Sequence, residues 1–125
     1  MQINAISMFQ NAFGAKKNLA DGRVERIVRV RNDKGLHCRP ASYIVRITGE
    51  APDKDVFVGY ASSPEEKNPI TNSILGLLML PAPKGTELVL NVPKDYPPKA
   101  YKALVKCFEA RDDEDAARIS ERFLQ

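Results

Sequence analysis

Prolines and glycines decide where helices in this chain can begin and end. Pro40, Pro97 and Pro98 stand where helices can open, because the first helical turn has no use for the amide that proline lacks. Pro81 stops a helix that Ser73 can cap, since the residue before a proline is pushed out of the helical region. Ala41, Ile44, Val45 and Thr48 follow at i, i+3, i+4 and i+7, which puts them on one face, and Gly49 ends the run. A helix is therefore expected over residues 39–49. The last core helix, opened by Pro97 and Pro98, carries Tyr101, Leu104, Val105 and Phe108 at the same spacing.

Between these helices the period changes from 3.6 to two. Val28 and Val30 alternate with Arg29 and Arg31, so residues 24–31 read as a half-buried strand. Val56 and Val58 alternate with Phe57 and Gly59 in a second strand over 55–61. A polar loop over 62–68 leads to a short third strand around 69–72. Residues 86–92 form a fourth, with Leu88 and Leu90 on one face and Glu87, Val89 and Asn91 on the other. Asn32-Asp33-Lys34-Gly35, Pro52-Asp53 and Pro83-Lys84-Gly85 supply the turns. The order β-α-β-β-α-β-α predicts an α+β open-faced sandwich, an antiparallel sheet with helices on one face.

Both ends extend beyond this unit, which spans residues 24–111. Residues 1–23 carry Ile3, Ile6, Phe9 and Phe13 at roughly helical spacing, then Gly14 and a polar run that reads as linker. Residues 112–125 begin with four acids, Asp112 to Asp115, which suit the positive end of a helix. They continue through Ile119, Phe123 and Leu124, as an extra helix or a continuation of the last one.

At 125 residues, 43% of them hydrophobic and 28% charged, the chain supports one modest core. Its formal charge of +3 is too small to demand nucleic acid or an anionic membrane. No apolar run reaches the roughly 18 residues of a spanning helix. Lys16 and Lys17 follow the apolar N-terminal residues, the wrong order for a secretory signal. Cys38 and Cys107 with a single histidine make a poor metal set, so free thiols in the cytoplasm, with no metal and no cofactor, are expected.

That single histidine lies in Gly35-Leu36-His37-Cys38-Arg39-Pro40-Ala41-Ser42. A glycine turn leads into His37 and a helix opens behind it. The imidazole is thereby placed beside unpaired first-turn amides and the positive end of the helix dipole, a setting suited to phosphate. Cys38 at the same helix start is read as a small residue in preference to a redox thiol.

Three motifs taken together, this one, Ser73-Ile74-Leu75-Gly76-Leu77-Leu78-Met79-Leu80 and Lys84-Gly85-Thr86-Glu87, resemble the HPr family, the histidine-containing phosphocarriers of the bacterial phosphoenolpyruvate:sugar phosphotransferase system (PTS). The resemblance covers about residues 24–111 and implies the same βαββαβα fold. It implies that His37 is the phosphoacceptor, taking a phosphoryl group from phosphorylated Enzyme I and passing it to IIA domains in sugar transport. It further implies that Arg39 stabilises the phosphoryl group and that Ser73 is a regulatory site for an HPr serine kinase/phosphorylase acting on carbon metabolism. Ile74, Leu75 and Leu78 would form the partner-docking surface. Such a protein is a carrier with a phosphohistidine intermediate and not a turnover enzyme. Neutral imidazole is a competent nucleophile near neutral pH, and the N–P bond it forms is suited to onward transfer.

The chain departs from the family pattern in several places. Lys34 stands where a small polar residue is usual and supplies a further phosphate contact; Asn72 replaces the lysine common before the serine; the loop over 62–68 is long. Two other readings compete. One is a regulatory HPr paralogue that controls carbon or nitrogen metabolism by docking, without sugar transport. The other is an RNA-binding or pure interaction module with Arg26, Arg29 and Arg31 as its basic face and Tyr43 or Phe57 as stacking groups.

Overall fold

The structure, a computed structural model, describes residues 16–125. The amphipathic stretch expected from Ile3 to Phe13 lies outside the described residues. In chain order the elements are strands β1 (Lys16–Asn18) and β2 (Arg23–Arg29), helix α1 (Cys38–Thr48), and strands β3 (Phe57–Tyr60) and β4 (Lys67–Pro69). Helix α2 (Ile74–Leu78), strand β5 (Glu87–Pro93) and helices α3 (Pro98–Phe108) and α4 (Asp113–Leu124) follow. The sheet order is β1-β2-β5-β3-β4, and every neighbouring pair is antiparallel.

Register carries the predicted alternation directly into a core. Val24 pairs with Val92 and Val28 with Leu88, while Leu90 faces Val58 on its other side, and all six are buried beneath the helices. Against them α1 sets Ala41, Ile44 and Ile47, and α3 sets Leu104, Val105 and Phe108. Each fully buried aliphatic side chain of this kind contributes about 1.5–3 kcal/mol over its exposed state. Thr48 is buried with its hydroxyl donating to the Thr71 carbonyl at 2.6 Å, and the Thr71 hydroxyl accepts from the Val56 amide at 2.9 Å. That chain of bonds ties α1 to the segment entering α2 and to the start of β3.

Three expectations are corrected. Part of the polar run read as linker is an edge strand: Lys16 pairs with Arg26, and its ammonium sits 4.7 Å from the centre of the Tyr101 ring. Pairing of alternate backbone groups, with a cation–π contact, holds a strand whose side chains are all exposed. The third strand falls at Lys67–Pro69, not 69–72, because Gly59 leaves room for the chain: a Cβ there would lie 2.3 Å from the Glu66 carbonyl oxygen. Finally, the three arginines of the supposed basic face are divided. Arg26 shares the helix-covered face with Val24 and Val28, while Arg29, on the other, bonds Glu87 at 2.7 Å.

The C-terminal stretch is a separate helix. Asp112 caps it, its carboxylate accepting from the Asp115 amide at 2.8 Å, while the Asp115 carboxylate accepts from the Arg111 amide just before the cap at 3.2 Å. Residues 109–112 turn the chain back, and α4 seats on both α1 and α3, burying Ala116 and Ser120 with Ile119 and Phe123 half covered.

Candidate functional site

The loop before α1 is built around two residues. Gly35 has φ +73°, a left-handed conformation natural to glycine, and packs so tightly that a Cβ would lie 2.6 Å from the Ala82 carbonyl oxygen. Asn32 is buried with its bonds satisfied inside the loop: its carbonyl accepts from the Gly35 amide at 2.9 Å and its side-chain oxygen from the Lys34 amide at 2.9 Å. The Leu36 amide donates to Ala82 at 2.8 Å. This frame delivers His37 to the N-cap of α1 with an extended backbone. The amides of Cys38 and Arg39 fall in the first turn, where no intrahelical acceptor exists, and Pro40 has no amide at all.

His37 holds the cap position without capping, for its side chain makes no bond to the helix. Instead Nε2 lies 2.9 Å from Oδ1 of Asp113, in the first turn of α4. The same carboxylate oxygen accepts from the Asn32 side-chain amide at 3.0 Å. The imidazole is one third exposed (33%), Asp113 only 15%. Burial alone would push the Asp113 carboxyl up. The bonds from Asn32 and His37 and the charges of His37 and Lys34 outweigh it, holding the group below its ordinary value. Arg39 is exposed; its guanidinium is held more firmly protonated first by the Tyr43 phenol, then by the charges of Asp113 and Glu114.

His37 and Asn32 therefore share one carboxylate, whose charge is also felt by Lys34 and Arg39. The other expected residues form a second area on α2, which packs against α1. Ser73 is the N-cap of that short helix, yet its hydroxyl makes no capping bond. Leu75 and Leu78 are exposed, but Ile74 is half buried against the core, and Met79, not singled out from the sequence, is the most exposed of the group at 66%. The period of the helix explains the exchange: Ile74 and Leu77 turn inward, Leu75, Leu78 and Met79 outward. Asn32 and Asp113 are the two site residues that sequence reasoning passed over. Asn32 read as turn chemistry and Asp113 as one of four helix-stabilising acids.

The family profile of the PTS HPr component phosphorylation site matches residues 24–110. The chain belongs to the HPr family. Phosphocarrier protein HPr of Chlamydia pneumoniae is 40% identical over 63 residues, 50% of this chain and 54% of that protein, so the chain spans about half the length of that curated relative. Among solved structures, HPr of Bacillus anthracis superposes with a TM-score of 0.57 at 22% identity, covering 70% of this chain and 98% of that one. HPr-C-His of Thermoanaerobacter tengcongensis gives 0.56 at 29% identity, covering 70% and 92%. The open antiparallel sheet with helices on one face is thus the HPr fold. The HPr profile ends at residue 110, three residues before the carboxylate that engages His37. Among the described residues no helix is long and apolar enough to cross a membrane, and no His/Cys/Asp/Glu cluster suits a metal ion.

Proposed function

We propose that this chain accepts a phosphoryl group on His37 from phosphorylated Enzyme I and hands it to IIA domains of a phosphotransferase system. One observation supports this above the rest. The lone histidine occupies a helix N-cap with its ring free of capping duty, partly exposed, beside first-turn amides that lack intrahelical acceptors. A phosphoryl group formed there meets the dipole and amides of α1, with Arg39 and Lys34 as exposed cations at its rim. Such contacts are exposed and individually modest, which suits a carrier that has to release its cargo; in-line positioning and most charge stabilisation then fall to the partners.

The outward face of α2 supports a docking role. Leu75, Leu78 and Met79 are the large apolar side chains left exposed among the described residues, and they are grouped on one short segment. Ser73 borders them with an uncommitted hydroxyl, so phosphorylation of Ser73 would set negative charge at the edge of the docking face without undoing a cap.

The test is incubation with phosphoenolpyruvate and Enzyme I, read by intact mass and phosphorus NMR. One acid-labile phosphoryl group is expected on the wild type and none on His37→Ala, whose far-UV spectrum should be unchanged. Acceptance at full rate by His37→Ala would end the assignment.

A further inference from the structure

We propose that Asp113, delivered by the appended helix α4, is a positioning residue that holds the His37 ring in the tautomer with its hydrogen on Nε2 and faces the positive charge the ring carries once it is phosphorylated. The inference rests on the reading of His37 as phosphoacceptor and deepens it. Asp113 lies outside the segment that the family profile covers, so the role belongs to this chain's own extension.

The geometry leaves Asp113 little else to do. The cap of α4 is complete without it: Asp112 bonds the Asp115 amide and Asp115 bonds the Arg111 amide. Asp115 also pairs with Arg118. Asp113 turns inward, and among the described residues its Oδ1 receives two side chains, Asn32 at 3.0 Å and His37 at 2.9 Å. Asn32 is itself locked, because its oxygen is committed to the Lys34 amide, so its nitrogen is the atom that faces the carboxylate. A carboxylate with Asn32 already donating to it can only accept from the ring. Nε2 must therefore carry its hydrogen, and in a neutral imidazole Nδ1 then holds the lone pair. No hydrogen bond engages Nδ1 among the described residues.

The proton count closes for transfer in both directions. The Nδ1 lone pair forms the N–P bond as the bond from phosphorus to the donor nitrogen breaks, and that electron pair leaves with the donor. The Nε2 hydrogen stays in place, so the phosphorylated ring bears its positive charge against the Asp113 carboxylate. In the onward step the ring departs as neutral imidazole still holding the same hydrogen, and no proton has to be found or shed. The other tautomer would offer Nε2 as nucleophile, pointed at a carboxylate that repels an incoming phosphoryl group.

The experiment uses the full chain with 15N-labelled histidine. Two-dimensional 15N–1H spectra at mildly alkaline pH read the tautomer. Phosphoramidate, a small donor that needs no docking, then loads the ring, and the spectra read which nitrogen carries phosphorus. The wild type should show the Nε2–H tautomer and the Nδ1 product alone. Asp113→Ala should show a mixture of tautomers. Its transfer from Enzyme I should fall about 10- to 100-fold, the scale of a hydrogen bond to a charged group. Asp113→Asn, which keeps an acceptor and loses the charge, should hold the tautomer yet slow the transfer, and it remains informative if the alanine variant fails to fold. A wild-type tautomer in folded Asp113→Ala would overturn the positioning role, as would an unslowed Asp113→Asn. Failure of the underlying reading is a separate result: phosphoryl transfer from Enzyme I that persists in His37→Ala.

Discussion

Replacing Gly35 by alanine probes the frame that holds His37, and its cost can be worked from two terms. At φ +73° an L-residue pays about 1–2 kcal/mol for the left-handed conformation. The added Cβ would also meet the Ala82 carbonyl oxygen at 2.6 Å and the Pro83 Cα at 3.0 Å, both backbone, so the loop has to move. The bond at risk is Leu36 amide to Ala82, 2.8 Å, worth about 1 kcal/mol. Together the loss is about 2–3 kcal/mol, or about 8–15 °C in melting temperature for a domain of this size. Gly85→Ala isolates the first term, since φ is +94° there and nothing lies within 4 Å of the added atom. Urea unfolding followed by circular dichroism, with the slope checked for constancy, compares the two. Gly35→Ala should be the less stable variant by about 1 kcal/mol. Equal midpoints would refute the claim that the Ala82 contact shapes the loop.

Two further outcomes follow from the electrostatics. The Asp113 carboxyl is held below its ordinary value in the folded state, so its contribution to stability is present above about pH 4 and is lost as the pH falls through the lowered folded value. Urea midpoints between pH 6 and pH 2 should therefore fall less steeply in Asp113→Asn than in the wild type, and parallel curves would contradict the linkage. Ser73→Asp should leave melting within about 0.5 kcal/mol of the wild type, because the hydroxyl makes no cap bond, while weakening Enzyme I docking in transfer kinetics; unchanged kinetics would remove Ser73 from the docking rim.

The parts of the fold legible in the sequence were those governed by short-range rules. Two-residue alternation in β2 and β5 put Val28, Leu88 and Leu90 inward, and proline and glycine punctuation placed α1 and α3 to within a residue or two. The edge strand β1 was hidden because its three exposed residues are held by pairing and by Tyr101, neither of which leaves a periodic trace. The site divides the same way. His37 at a helix start is local chemistry, written in eight consecutive residues. Asp113 is 76 positions distant, among neighbouring acids of similar type, and only the seating of α4 on α1 and α3 selects it from them. Ile74 and Met79 exchanged roles because five residues are too few for a hydrophobic stripe to fix the phase of a helix.

The place of β5 in the sheet has a consequence for how the molecule comes together. It is the last strand in the chain and the middle one in space, joining a β1–β2 ribbon on one side to a β3–β4 ribbon on the other. Two-stranded ribbons alone are marginal in water. Neither half can be secured until the ribosome has released residues 87–93, and every pairing that β5 then makes closes a long loop, the circumstance that slows folding most. The nascent chain is thus committed late and in one step, with its first half held open for the strand that completes it.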